Sequence, residues 1–174
     1  MRYKKNSTPA YWSPDGKWIA VGGNDAKGPG LFKIPVEGGD PMRIRSGDSR
    51  DPVWSPDGEL IVFVGDFATN LQGLRALWPD GGPVELPEIR VSRYGERTRF
   101  SRDGKSLIYM QGALNDQDFW ILDLATRKSH RLTHLISTAR MRTFDITPDG
   151  KQIVFDRLRD NSDIVLIDLP RKAH

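Results

Sequence analysis

Few residues in this chain could do chemistry, and their spacing argues against most of it. His130 and His134 are four apart, which on a helix would set two metal ligands on one face. They flank Arg131-Leu132-Thr133, an extended segment in which positions four apart lie ~13 Å from each other, too far for one ion. They read as surface histidines. Gly104-Lys105-Ser106 ends like a phosphate-binding loop, but the first glycine of that motif would fall at Arg99. The same Gly-Lys pair recurs at Gly16-Lys17 and Gly150-Lys151, so it reads as a turn. There is no Gly-x-Ser-x-Gly elbow, and with no cysteine there is no thiolate nucleophile, disulfide or Cys-ligated zinc. Carboxylates gather at Asn115-Asp116-Gln117-Asp118 and at Asp156, Asp160 and Asp163, without the spacing of an EF-hand loop. They read as caps of turns and strand starts. No catalytic residue, metal ligand or cofactor is expected.

Charge narrows the partners a little. The 26 Lys and Arg against 23 Asp and Glu give a net charge of +3, less than a dedicated nucleic-acid binder carries. No run interleaves exposed aromatics with basic residues, so nucleic acid is not expected as a partner. Arg127, Lys128, Arg131, Arg140 and Arg142 form a basic segment without Asp or Glu between Ala125 and Phe144. The first three fall on a predicted outer strand, where charge guards an edge against pairing. Arg140 and Arg142 fall in a connection instead.

The elements that must position these residues come from a repeat. Ser13-Pro14-Asp15-Gly16, Ser55-Pro56-Asp57-Gly58, Ser101-Arg102-Asp103-Gly104 and Thr147-Pro148-Asp149-Gly150 are four copies of one turn, spaced 42, 46 and 46 residues apart. Pro presets φ at the second turn position, Ser or Thr bonds the turn backbone, and Gly supplies the left-handed residue that closes a hairpin. A large apolar residue precedes each turn: Trp12, Trp54, Phe100 and Ile146. A strand-like apolar run follows each, then a second one about fifteen residues on, then a polar-flanked strand such as MRIRS, VELPE or SHRLTH. No helical periodicity is present. Four antiparallel strands per unit make the blade of a β-propeller, and the 17 Gly and 12 Pro are its punctuation. The fold class is all-β, in one domain over residues 1–174, with repeats at 9–48, 49–90, 94–134 and 140–170. Trp12, Trp54 and Trp120 are expected in the core between blades.

The units resemble the WD40-like (PD40) repeats of TolB-type β-propellers. Trp12–Ala20 and Trp54–Phe63 follow the family's Trp-Ser-Pro-Asp-Gly pattern, Asn161–Leu169 its later strand and Arg131-Leu132-Thr133 its ending. Arg102 replaces Pro, and Phe100 and Ile146 replace Trp with bulk retained. The resemblance implies six or more blades per ring, whereas four turns are present. A partial propeller, as the C-terminal part of a larger bacterial protein, is therefore expected. In the alternative, Arg2–Lys5 supplies the outer strand of the last repeat and joins the termini.

Loops on a rigid scaffold commonly carry binding. In propellers, the connection into the next inner strand and the second-to-third-strand loop share one face around the channel mouth. That face would hold Arg50, Arg93, Tyr94, Arg97, Asp116, Arg140, Arg142 and Arg159, a basic surface for an acidic peptide or small anion. The Pro-Asp-Gly turns would lie on the opposite face. The expected function is a non-catalytic module for protein interaction or ligand sensing. The alternative is the gating propeller of a prolyl-oligopeptidase-type serine peptidase. Self-association through open blade edges is a further expectation. The basic N-terminus has no apolar region behind it, so no signal peptide is visible. The chain as given reads as cytoplasmic, or periplasmic within a longer TolB-like or membrane-anchored parent. No stretch reaches the ~20 apolar residues of a membrane helix.

Overall fold

The computed structural model describes residues 9–65, 71–92, 98–113, 116–135 and 140–158. Within them the chain forms antiparallel sheets, with no helix among the described residues. The first blade holds β1 (Tyr11–Trp12), β2 (Trp18–Asp25), β3 (Gly28–Pro35) and β4 (Met42–Ser46), hydrogen-bonded in that order. The second holds β5 (Ser49–Trp54), β6 (Ile61–Gly65), β7 (Leu71–Leu77) and β8 (Pro83–Val84), with β9 (Arg90–Ser92) also on β7. The third holds β10 (Thr98–Phe100), β11 (Ser106–Ala113), β12 (Asp116–Asp123) and β13 (Lys128–Arg131). β14 (Phe144–Ile146) and β15 (Ile153–Phe155) begin a fourth. The predicted strands at Arg2–Lys5 and Asp163–Leu169 lie outside the described residues.

One prediction fails in detail. VELPE is not a full outer strand: β8 stops at Val84, and pairing with β7 resumes only at Arg90. Pro87 has no N–H to give to a ladder, which confines pairing to either side of it.

The turns are one structure used four times. In the first, the Ser13 N–H donates to Trp18 O at 2.8 Å and the Gly16 N–H to Ser13 O at 2.9 Å. The Ser13 hydroxyl donates to Asp15 Oδ1 at 2.5 Å and accepts from the Trp18 N–H at 2.9 Å. The Lys17 N–H closes the set on Asp15 Oδ1 at 3.1 Å. The same five bonds recur around Ser55 and Asp57, Ser101 and Asp103, and Thr147 and Asp149. Arg102 in place of Pro leaves the set intact, because none of these bonds uses its side chain.

Strand alternation sorts each blade into a face toward the preceding blade and a face toward the next. In the second blade, Trp54, Ile61 and Leu77 stand in register and pack on Ala20, Leu31 and Tyr11 of the first. In the third, Phe100, Leu107 and Leu122 stand in the same register and pack on Val53, Val62 and Ala76 of the second. In the fourth, Ile146 and Ile153 pack with Phe144 on Ile108, Met110 and Phe119. Each buried aromatic or aliphatic side chain stabilises this stack by roughly 1.5–3 kcal/mol. Approach is close: a Cβ on Gly22 would fall 1.9 Å from Ser49 O, so only glycine lets β2 lie against β5.

Trp54 is buried at 8% exposure and Trp120 packs against the core of the second and third blades. Trp12 corrects the expectation of an inter-blade position: it is 59% exposed. It occupies the register of Trp54 and Phe100, on the one blade face that no described blade precedes.

Candidate functional site

Because the strands run antiparallel, the Pro-Asp-Gly turns and the links between third and fourth strands share one end of each blade. The second-to-third-strand hairpins and the connections between blades share the other. Of the predicted binding residues, Arg50, Asp116, Arg140 and Arg142 are at this second end. Arg93, Tyr94, Arg97 and Arg159 lie outside the described residues.

The structure draws three of the four together. Gln117, fully buried near the start of β12, accepts a hydrogen bond from the Met141 N–H at 3.3 Å. Met141 is itself buried among Phe119, Phe144 and Ile108. This ties the link 140–143 to the edge of the third blade, beside exposed Asp116. The Asp156 carboxylate holds the link from the fourth blade, accepting the Arg142 N–H at 2.7 Å and the Thr143 N–H at 2.9 Å. Arg140 exchanges backbone hydrogen bonds with Leu158. Met141 is anchored inward, leaving the Arg142 side chain exposed and Arg140 half-buried. Asp156 thus does what a cap does. Arg50 stands apart on β5, half-buried and one residue before Asp51, which has φ +48 at an irregularity of the ladder.

Asp118, two residues from Asp116, has another role. It accepts from the Leu135 N–H at 3.1 Å and the Phe119 N–H at 3.0 Å, from the Thr133 hydroxyl, and from Arg131 Nε at 2.7 Å and Nη2. Burial pushes its pKa up, but the Thr133 and Arg131 bonds and the two N–H donors outweigh it and hold the carboxyl below the ordinary value. Asp118 is therefore a pin for the chain leaving β13. Arg131 is committed to it, and Arg127 pairs with Glu85 across the blades at 3.5 Å. His130 and His134 are exposed, and no group of three or more His, Asp or Glu able to hold a metal occurs among the described residues.

Sequence reasoning missed a cation on an inner strand. Arg99 of β10 has its guanidinium carbon 5.5 Å from the Tyr11 ring of the first blade and 5.6 Å from the Phe144 ring of the fourth. It also pairs with Asp145 at 3.4 Å. One side chain of the third blade thereby meets both the first and the fourth. Its place on a three-residue inner strand beside Phe100 was the available signal. The end with the turns has hollows of its own. A shallow cleft of about 510 Å³ lies between the third and fourth turns, lined by Arg102, Asp103, Ile108, Ile146 and Asp149. A smaller one of about 260 Å³ lies between the first two, lined by Trp18 under Lys33, Trp54 and Pro79.

No protein-family model matches the sequence. Among solved structures, the putative TolB from Agrobacterium tumefaciens superposes with a TM-score of 0.64 at 23% identity, over 89% of this chain and 56% of that one. TolB from Acinetobacter baumannii gives a TM-score of 0.63 at 22% identity, over 85% of this chain and 37% of that one. At this identity the likeness concerns the fold alone: the chain is a partial β-propeller of the TolB-like kind. Among curated proteins, the uncharacterized peptidase YuxL of Bacillus subtilis (strain 168) is 30% identical over 160 residues. The alignment takes in 87% of this chain but 22% of YuxL, so the chain spans less than a quarter of that relative.

Proposed function

We propose that this chain is a non-catalytic propeller module that binds an acidic peptide segment of a protein partner at the blade end carrying the inter-blade connections. The observation that carries this reading is the anchored link 140–143. Met141 is buried and bonded to Gln117, Asp156 holds the backbone, and the Arg142 side chain is left exposed. A cation presented on a fixed backbone loses little freedom on binding, which favours recognition of a carboxylate. Arg50 and Arg140 on the same end would extend the surface, with Arg93, Tyr94, Arg97 and Arg159 from the neighbouring connections. Asp116 would set the register of the peptide by repelling its carboxylates locally. The test is a peptide array probed with the purified chain: acidic peptides should retain it, while neutral and basic ones should not. Uniform retention would refute the reading.

The likeness to a peptidase supports a second reading, in which the module filters peptides for a catalytic domain elsewhere in a longer protein. In either reading the chain by itself is non-catalytic, in keeping with a sequence that holds no Gly-x-Ser-x-Gly elbow. Incubation of the chain with aminoacyl and peptidyl nitroanilides should release no nitroaniline. Turnover abolished by a serine-directed inhibitor would overturn the non-catalytic reading.

A further inference from the structure

The blade end that carries the turns offers a chemistry opposite to that of the end carrying Arg142. In the gap between the first and second blades, the cavity of about 260 Å³ is lined by Asp15, Trp18, Lys33, Trp54, Asp57 and Pro79, among others. Strand alternation places them. Trp18 lies on the same face of β2 as Ala20, and both pack in the cluster that holds Trp54 of the second blade. Lys33 stands opposite Ala20 on β3, so it shares that face. Both walls therefore belong to described blades packed directly on each other.

Two carboxylates and one ammonium line the cavity. The Ser13 hydroxyl and the Lys17 N–H both donate to Asp15 Oδ1, and the Ser55 hydroxyl and the Glu59 N–H to Asp57 Oδ1. No hydrogen bond from another described residue engages Oδ2 of either aspartate. The bonds to Oδ1 hold both carboxyls below the ordinary value, so both are ionised at neutral pH. Lys33 sets its ammonium 4.6 Å from the centre of the Trp18 ring, so a cation is accommodated on that indole.

Size and surroundings favour a side chain of a protein over a free small molecule. Small-molecule sites span roughly 300–1,000 Å³, and this cavity is smaller. Met42, cross-strand from Lys33, is 49% exposed, and Trp78, which precedes Pro79, is 45% exposed. They offer apolar surface to the residues that flank an inserted one. A guanidinium stacks on an indole and grips a carboxylate through a planar fork, which an ammonium cannot do.

We infer that this cavity takes an arginine side chain of a protein partner, its guanidinium replacing Lys33 on Trp18 and bonding Oδ2 of Asp15 or Asp57. Asp103 and Asp149 recur between the third and fourth turns, but Ile146 stands there in place of Trp54 and Arg102 lines the cleft. That cleft has no indole among its lining residues.

Titration of the chain with acetyl-Gly-Arg-Gly-amide, followed by the indole N–H resonances in NMR spectra, tests this. The Trp18 and Trp54 signals should shift progressively with the arginine peptide and stay in place with its neutral citrulline analogue. The lysine analogue should bind at least about threefold more weakly, for want of the stacked planar fork. Lys33→Gln should tighten binding of the arginine peptide at least about threefold, because it clears the Trp18 ring and removes a like charge. That gain cannot come from a damaged fold. Unmoved Trp18 and Trp54 signals, or a citrulline peptide that shifts them equally, would overturn the inference. So would a lysine peptide that binds as tightly, or a Lys33→Gln variant whose affinity is unchanged or lower.

Discussion

Gly104 lies against Pro56: a Cβ on the glycine would stand 3.4 Å from the proline Cδ, so the third turn rests on the second. Gly16 has the same φ of +71° and nothing beside it. The pair separates the cost of backbone conformation from the cost of packing. Alanine at either position should cost about 1–2 kcal/mol for the left-handed backbone. Valine at 104 should cost about 1–3 kcal/mol more than valine at 16, because its methyls meet the Pro56 ring. Urea denaturation of the four variants measures the difference, and equal losses for the two valines would show that the turns do not bear on each other.

Trp54 and Trp12 share a register and differ in cover. Trp54→Ala should cost about 3–5 kcal/mol, the range for emptying a large aromatic from a packed core. Trp12→Ala, measured in dilute solution, should change stability by no more than about 0.5 kcal/mol. Chemical denaturation followed by circular dichroism reads both.

Much of this was legible in the sequence. Trp12, Trp54, Phe100 and Ile146 mark the strand before each turn, and alternation assigns their faces. Periodicity names a face but cannot say whether anything covers it, which is why Trp12 was misplaced in the core. Asp116 and Asp118 looked like one acidic cluster. Their separation into an exposed carboxylate and a buried pin depends on Arg131, Thr133 and Leu135 wrapping over Asp118, contacts 13 to 17 residues away. The contacts of Arg99 are hidden from the sequence for a similar reason, since its aromatic neighbours come from two other blades.

Asp15, Asp57, Asp103 and Asp149 all titrate below the ordinary value of 3.8, chiefly because a Ser or Thr hydroxyl donates to each carboxylate. A carboxyl whose pKa is lower folded than unfolded stabilises the fold fully above the unfolded value. That stabilisation is lost as pH falls through the folded value. Thermal stability should therefore hold from neutral pH down to the ordinary carboxylate range and then fall. Asp57→Asn should lower stability at neutral pH and leave a shallower acid decline. NMR titration of the aspartate carboxyls checks the direction directly, and an unshifted set would contradict it.

Removing the Asp118 carboxylate takes the acceptor from the Leu135 N–H and the Thr133 hydroxyl, and leaves the Phe119 N–H and Arg131 only their bonds to Thr133. Asp118→Ala should cost about 2 kcal/mol, within the range for hydrogen bonds to a charged group. Amide hydrogen exchange should quicken at Leu135, while the Gly104 turn amide, bonded to Ser101 O, keeps its protection.

The binding account rests on cations presented from anchored connections. Fluorescence anisotropy of a labelled Glu- and Asp-rich peptide, titrated with the wild-type chain and with Arg140→Glu/Arg142→Glu, tests it most directly. The account predicts saturable wild-type binding that weakens as salt is raised, and loss of at least about tenfold in affinity on reversal, the equivalent of 1.4 kcal/mol. Equal affinity of the two proteins for the acidic peptide would contradict it.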